Sequence, residues 1–548
     1  MNNDISITKE NIYSYPSQLN FFKSNDLQSA CYKLTCDIEE VFLELLSTKM
    51  IMTDFNKIAI LQDRFRGGYR AAIKWAFQYC AQSNKPFLPH ACPYEYGCCE
   101  NTINIGAKFA NIRNAFDQAD LGKLTISITD HNIKFSPSRS KRDINADLYA
   151  RFIDHEKYTE TENKKTISYD QKTFAHMINP NQSSRWNDFS KRPHDKQLFS
   201  KIYKDCLKKV KIDTEDYSNF DFGEFTLEDY EKVYAVLMAL GVMNFNYQRT
   251  TRERNQYNKL SSPIFFSEIT SLIQFITDNS KVKRKAVKSV LELLTYDYEF
   301  HKNKVTIVQP IFLFGKFVFF SPSLLYYSDA VDKLLYLVKE HKDTPEVISK
   351  IAKEREQVMT ERIVNFISQN LSLKCVPNYK LILNGHTVAE FDIMIYDENS
   401  NSLLLTELKY FFKADGEDGH HKVDFKIQDA IKSRLSKQQL AEKHIDVLFS
   451  DDFGISSTPK APKAPKIKSC IVSQNYSGSS FIEDKIAVFD EFLFKHTLSR
   501  YDYNLDVLFT SIENDSYIPD MSDIICYHDY TQEYAGYVIT YPGLIQKQ

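Results

Sequence analysis

The chain has 548 residues, a net charge of −3, 43% hydrophobic and 26% charged residues; this is too long for one core, too balanced for a polycation and too apolar for a disordered chain. Ten cysteines without regular spacing fit free thiols in a reducing cytoplasm better than a disulfide framework. The opening M-N-N-D-I-S-I-T-K-E carries no signal peptide pattern, and the longest apolar runs, Val233–Phe245 and Ile307–Tyr327, are too short or broken by Pro310 and Lys316, so a cytoplasmic protein without a membrane partner is expected.

Residues 1–150 read as a helical region with a short hairpin. Leu27–Leu46, Ile58–Tyr79 (interrupted at Gly67-Gly68) and Ile103–Phe116 show helical periodicity. Between the last two lie His90, Cys92, Cys98 and Cys99, with Cys80 upstream. Thiols and an imidazole this close can hold zinc, but no paired C-x2-C knuckle is present, so packed cysteines are preferred over a metal. Lys123–Ser136 reads as the hairpin, and Pro137–Asn145 and Asn179–Lys196 as polar linker or arm.

Residues 151–342 read as mainly helical. Lys201–Lys211 is basic and amphipathic, and Leu227–Met243, Phe265–Asp278 and Val282–Leu294 are further helices. The run Lys281–Lys288 (K-V-K-R-K-A-V-K) is the most basic patch here. Both basic runs read first as solvated faces and second as phosphate contacts. Val305–Pro322 reads as an apolar hairpin turning near Gly315-Lys316, and Asp329–His341 as a helix. Two D-F-G triplets occur without the other kinase motifs, and no G-x-x-x-x-G-K-[ST] loop is present, which excludes a kinase or a nucleotide-driven motor.

Residues 343–548 carry the chemistry. Pro345–Asn370 reads as a helix with Ile348, Ala352, Met359, Ile363 and Phe366 on one face. Lys380–Leu383 is a strand closed by Asn384-Gly385, a strong hairpin signal. Ala389–Tyr396 alternates, with Phe391, Ile393 and Ile395 on one side and Glu390, Asp392 and Met394 on the other. After D-E-N-S-N-S, Leu403–Tyr410 places Glu407 and Lys409 on one face of a strand whose Leu403-Leu404-Leu405 run looks buried on both sides. Buried charges need a partner or a metal, so this pair reads as a site rather than a solvated ion pair. A polar loop, Lys413–Asp424 with His420 and His421, follows. Next come a helix from Val423 to His444, the Pro-rich basic segment Ser456–Lys468 and a strand over Ile467–Gln474. Arg434 and Gln438 occupy positions in that helix's apolar stripe. In the tail, one helix and strands over Ala535–Tyr541 are expected to pack on this domain.

The D…E-x-K pattern of Asp392, Glu407 and Lys409 resembles the core of the PD-(D/E)xK nuclease superfamily, and Glu390 precedes Asp392 as in the superfamily's G-E-x-D variants. The resemblance implies a multidomain α+β protein: a mainly α-helical N-terminal region followed by an α/β restriction-endonuclease-like domain with an αβββαβ core. It implies Mg²⁺ (or Mn²⁺) held by Asp392 and Glu407, with Lys409 beside the attacked phosphate. Gln438 is implied on the second helix, and on the first helix Glu361 by distance or Glu356 by helical phase. The implied activity is endonucleolytic hydrolysis of nucleic acid, DNA rather than RNA, in prokaryotic defence or restriction, with a homo-oligomer or a defence-system protein as partner. The alternatives are a catalytically silent binding or scaffold protein with the same fold and an RNA-cleaving, toxin-like nuclease.

Overall fold

The computed structural model describes residues 2–47, 67–83, 94–95, 97–138, 145, 149, 193–214, 217–253, 263–302, 309–326, 330–341, 345–370, 372–412, 416–450, 465–474, 486–514, 516–518, 520–521 and 525–546. It is a mixed α/β structure that divides into two compact units. One comprises Met1–Ser136, Lys164–Val347 and Asp529–Pro542, the other Pro137–Asn163, Ile348–His528 and Gly543–Gln548. Each is therefore assembled from discontinuous stretches of chain, whereas the boundaries drawn from sequence are contiguous.

The first unit is mainly helical. In chain order its described helices are α1 (Asn2–Ser14), α2 (Asn20–Ser24), α3 (Leu27–Ser47), α4 (Arg70–Tyr79), α5 (Glu100–Asp120), α6 (Pro193–Thr214), α7 (Leu227–Glu253), α8 (Ile269–Ser280), α9 (Arg284–Leu294), α10 (Tyr298–His301), α11 (Pro322–Tyr326) and α12 (Ala330–His341). Gly68, just before α4, and Gly106 of α5 explain the glycine interruption seen in the sequence. A Cβ on Gly68 would lie 2.2 Å from the Ile103 carbonyl oxygen, and one on Gly106 would lie 2.4 Å from the Gly68 carbonyl oxygen. Backbones this close leave no room for a side chain.

Two sheets complete this unit. Strands β1 (Leu124–Thr129) and β2 (Asn132–Pro137) form the expected hairpin, and β3 (Phe265–Glu268), β4 (Ile311–Phe314) and β5 (Phe317–Phe320) form a sheet of order β3-β5-β4. The expected helix over Phe265–Asp278 thus begins only at Ile269. Pairing with β5, Phe265 opposite Phe320 and Glu268 opposite Phe317, overrides local helical periodicity. The tail strands belong here too. After the second unit's strands β6 to β10, given below, β11 (Ile525–Tyr534) and β12 (Tyr537–Gln546) complete a sheet of order β1-β2-β12-β11. β12 pairs in parallel with β2, Ile539 opposite Ile133. Tyr534 and Ile539 lie in the core cluster of this unit with Phe116 and Phe135, so the tail strands join this core, where packing on the α/β domain was expected; the tail helix Leu505–Glu513 does bury Leu508 in the α/β unit.

The second unit contains α13 (Pro345–Ile367), β6 (Leu373–Leu383), β7 (His386–Asp397), β8 (Ser402–Tyr410), α14 (Gly416–Lys443), α15 (Ile445–Ser450), β9 (Lys466–Gln474), β10 (Ala487–Asp490), α16 (Glu491–Arg500) and α17 (Leu505–Glu513). Its sheet has the order β10-β9-β8-β7-β6. β6, β7 and β8 are antiparallel neighbours, and β8, β9 and β10 run parallel. Helices α13, α16 and α17 bury Met359, Ile363, Phe494 and Leu508 against Ile393, Ile395, Leu404, Leu408 and Val472. On the other face α14 and α15 bury Ala441 and Leu448 against Met394, Leu403 and Leu405. The sheet is therefore covered on both faces, which is why β8 reads as an unbroken apolar run.

Two local expectations change. The polar stretch after β8 is helical from Gly416 onward, so His421 sits on α14, edge-on to Phe425 with ring centroids 4.4 Å apart. Two glycines at about 1 kcal/mol each do not outweigh the packing of the rest of the helix. Phe391 clusters with Met394 on the α14 face while Ile393 and Ile395 face α13, so the alternation slips at Asp392. Asn378, the β6 residue between Pro377 and Tyr379 that faces this point, has a left-handed φ of 53°.

Candidate active site

The site forms where two strands part. The β7–β8 ladder runs from Asp397 opposite Ser402 to Ile393 opposite Thr406. Beyond it β7 stays with β6 while β8 stays with β9, which pairs Glu407 with Ile471 and Lys409 with Ser473. Asp392 and Glu407 are the first residues inside this fork. The Leu408 amide donates to Asp392 Oδ2 at 2.7 Å, so a side chain supplies the acceptor that the ladder no longer provides.

Lys409, two residues along the same face, donates from Nζ to Glu407 Oε1 at 2.7 Å. Helix α13 adds Glu356, whose Oε1 accepts the Tyr410 amide at 3.3 Å. Helix α14 adds two cations: Arg434, fully buried, bonds to Glu407 Oε2, and Lys437 Nζ reaches the same oxygen at 3.3 Å. Arg434 also lies over the Phe391 ring, 5.2 Å from its centroid, a cation–π contact. Three carboxylates and three cations therefore meet at the fork.

Their charges are set by each other. Burial raises the Asp392 carboxyl above its ordinary value and the nearby Glu407 charge adds to this, against the Leu408 amide and Lys409. Glu356 is likewise raised, first by burial. Burial alone would raise Glu407 as well, but Arg434, Lys409 and Lys437 outweigh it and hold that carboxyl low. For Lys409, burial opposes the ammonium and Glu407, Asp392 and Glu356 overcome it, so its value is raised. The neighbouring carboxylates thus favour the ammonium form of Lys409.

The sequence-derived residues fare unequally. Asp392, Glu407 and Lys409 come together. Of the two first-helix candidates, Glu356 is at the fork, while Glu361 is exposed and accepts from Gln357 at 3.3 Å; five residues along a helix turn a side chain well away from the first. Gln438 does not reach the carboxylates: its Nε2 donates to Glu442 at 2.9 Å and to the Ile467 carbonyl at 3.5 Å. Arg434 and Lys437, one turn earlier and one residue earlier, take that place. Arg434's position in an apolar stripe was the visible signal; Lys437 had none beyond its spacing from Arg434. Of the Pro-rich segment's cations, Lys466 pairs with Asp506 and Lys468 with Glu513 at 2.8 Å, while Lys460 and Lys463 lie outside the described residues, as do His90 and Cys92.

The oxygen donors suit a hard cation such as Mg²⁺ or Mn²⁺. Asp392 Oδ1 and Glu356 Oε2 take no hydrogen bond among the described residues, whereas both Glu407 oxygens are engaged by cations. The three carboxylates do not all lie within 4.8 Å of one another; among the described residues the group that does is Asp37, Cys98 and Cys99.

No family model, curated protein or solved structure matches this chain. Its chemistry is therefore read from the fork itself. No helix among the described residues is long and apolar enough to cross a membrane.

Proposed function

We propose that the α/β unit is a metal-dependent nuclease that hydrolyses phosphodiester bonds of nucleic acid, DNA in preference to RNA. The observation that carries this reading is Lys409, held 2.7 Å from Glu407 in a fork that also presents Asp392 and Glu356. Asp392 and Glu356 would hold the cation by their open oxygens, with Glu407 joining as Lys409 turns from it to the substrate. A bound Mg²⁺ or Mn²⁺ supplies charge neutralisation at phosphorus and an acidified water. Lys409 faces the charge that develops on the phosphoryl oxygens, and Lys437, half-buried at the rim, offers a second cation for the same phosphate. The αβββαβ order of α13, β6–β8, α14 and β9 supports a restriction-endonuclease-like reading of the unit. We place the protein in the cytoplasm, in defence or restriction, acting as a homo-oligomer or with a partner protein.

One observation favours a second reading. Glu407 has both oxygens occupied by three cations, the arrangement of a structural ion cluster, and so a catalytically silent nucleic-acid-binding scaffold is the alternative. The deciding experiment is cleavage of supercoiled plasmid DNA and of RNA with Mg²⁺ or Mn²⁺ by the wild type, Lys409→Ala and Asp392→Asn. Metal-dependent cutting that both substitutions abolish, with unchanged circular dichroism, is the expected result. Cutting that survives both places the activity elsewhere. An inactive wild type that also shows no Asp392-dependent Mn²⁺ binding by calorimetry leaves the scaffold.

A further inference from the structure

The strongest unassigned cluster lies in the helical unit, where Tyr94, Gly97 and Cys99 bond to α3. Asp37 is its hub and is 4% exposed. Its Oδ1 accepts from the Tyr94 hydroxyl at 2.6 Å and the Gly97 amide at 3.0 Å, and its Oδ2 accepts from the Cys99 amide at 2.8 Å. Cys98 and Cys99, at the start of α5, are both free thiols, with Sγ atoms 3.5 Å apart. The donor atoms of Asp37, Cys98 and Cys99 all lie within 4.8 Å of one another.

Fastening a turn explains the amide bonds, and the two thiols share an S–H···S contact while Cys98 also has a backbone hydrogen bond at Glu95; it does not explain why both sulfurs converge on a buried carboxylate. A sulfur separation of 3.5 Å is far from the roughly 2.0 Å of a disulfide. It is close to the roughly 3.7 Å between two thiolates bound tetrahedrally at about 2.3 Å from zinc. A carboxylate oxygen has two acceptor positions; Oδ1 has filled both, and Oδ2 has one left. Among the described residues Asp37 has neutral donors and no ion-pair partner, so a buried carboxylate stands without a counter-charge. The three bonds it accepts fix its orientation, as the outer partners of a metal-bound carboxylate do.

We propose that Asp37, Cys98 and Cys99 bind a thiophilic divalent cation of the zinc class that fastens the start of α5 to α3. Two sulfurs and one oxygen select such an ion over Mg²⁺, which suits the all-oxygen fork of the other unit. Each cysteine releases its thiol proton as its sulfur bonds to the ion, and a water fills the fourth position.

The test uses the reduced, chelator-treated full-length protein titrated with Co²⁺ and then with Zn²⁺, read by absorption. The expected result is one saturable equivalent with a thiolate-to-cobalt charge-transfer band and tetrahedral ligand-field bands, both lost as Zn²⁺ displaces the cobalt. Cys98 is exposed, so Cys98→Ser leaves the fold intact. It is expected to lose about half of the charge-transfer intensity and to bind at least about tenfold more weakly. Asp37→Asn is expected to keep the charge-transfer band and shift the ligand-field bands. Absence of a saturable cobalt band in the wild type overturns the proposal, as does a wild-type spectrum and affinity in Cys98→Ser.

Discussion

Arg434 and Glu407 form an ion pair that is closed to solvent on the arginine side: the guanidinium is fully buried on α14, and Glu407 is 7% exposed on β8. Two further Arg434 nitrogens, Nε and Nη1, are buried without a hydrogen-bond partner among the described residues. Such a pair is costly to break from one side, because the survivor keeps its charge in a low-dielectric setting.

Arg434→Ala is therefore expected to destabilise the α/β unit by about 3–5 kcal/mol, measured by denaturant unfolding. Arg434→Lys is expected to rescue little of this, since an ammonium cannot keep both the Glu407 contact and the Phe391 ring contact. A loss within about 0.5 kcal/mol for Arg434→Ala would show that Lys409 and Lys437 alone balance Glu407. The same pair makes Glu407→Ala an ambiguous test of activity, and Lys409→Ala and Asp392→Asn the cleaner ones.

Glu356 and Glu361 separate by activity. Glu356→Gln is expected to lower kcat for DNA cleavage by about 100-fold or more, while Glu361→Gln stays within about twofold. Equal effects of the two substitutions would remove Glu356 from the site.

Glu39 gives the helical unit a pH dependence. It is fully buried on α3 and accepts from the Ser321 hydroxyl at 2.6 Å, the Ser323 hydroxyl at 2.9 Å and the Ser323 amide at 3.1 Å. Burial outweighs these bonds and raises its carboxyl from 4.5 to about 7. A raised value means that the folded state holds the proton more tightly than the unfolded chain. The stabilisation is complete below the ordinary value and is lost as pH rises through about 7, a decline of about 3 kcal/mol. Unfolding followed by tryptophan fluorescence from about pH 4 to pH 8 is expected to show this decline in the wild type and not in Glu39→Gln. Parallel curves would assign the titration to another group.

Gly68→Ala is expected to lower stability by about 1–3 kcal/mol, because the added methyl would meet the Ile103 carbonyl, a backbone atom that cannot swing away. Gly67→Ala, whose Cβ would lie 2.9 Å from the Ala110 methyl, also needs a shift but not against a carbonyl, and is expected to cost less. Thermal melts that rank these two the other way would contradict the close helix contact.

What the sequence made legible follows from what is local. The hairpin of β7 and β8, the flanking helices and the partnership of Asp392, Glu407 and Lys409 could be read because strand and helix periods extend over many residues. The phase of α14 could not be read to within one residue, so Gln438 was expected where Arg434 and Lys437 lie. The fork was also hidden: strand divergence beyond Ile393 depends on β6 and β9, not on β7 or β8 alone. Asp37 lies 62 positions from Cys99, and no spacing pattern announces it. Phe265–Glu268 shows the same limit, since its strand exists by pairing with β5.

The parallel pairing of β12 with β2 has a consequence for how the molecule is made. Ile133 emerges from the ribosome about 400 residues before its neighbour Ile539. Throughout that interval the β2 edge has its hydrogen-bonding groups unmatched, and the helical unit must either wait or find a temporary cover. Synthesis and completion of this sheet are thus separated by Lys164–Val347 of the same unit and by all of the α/β unit except its last residues, which places the first unit's most vulnerable period before the last strand arrives.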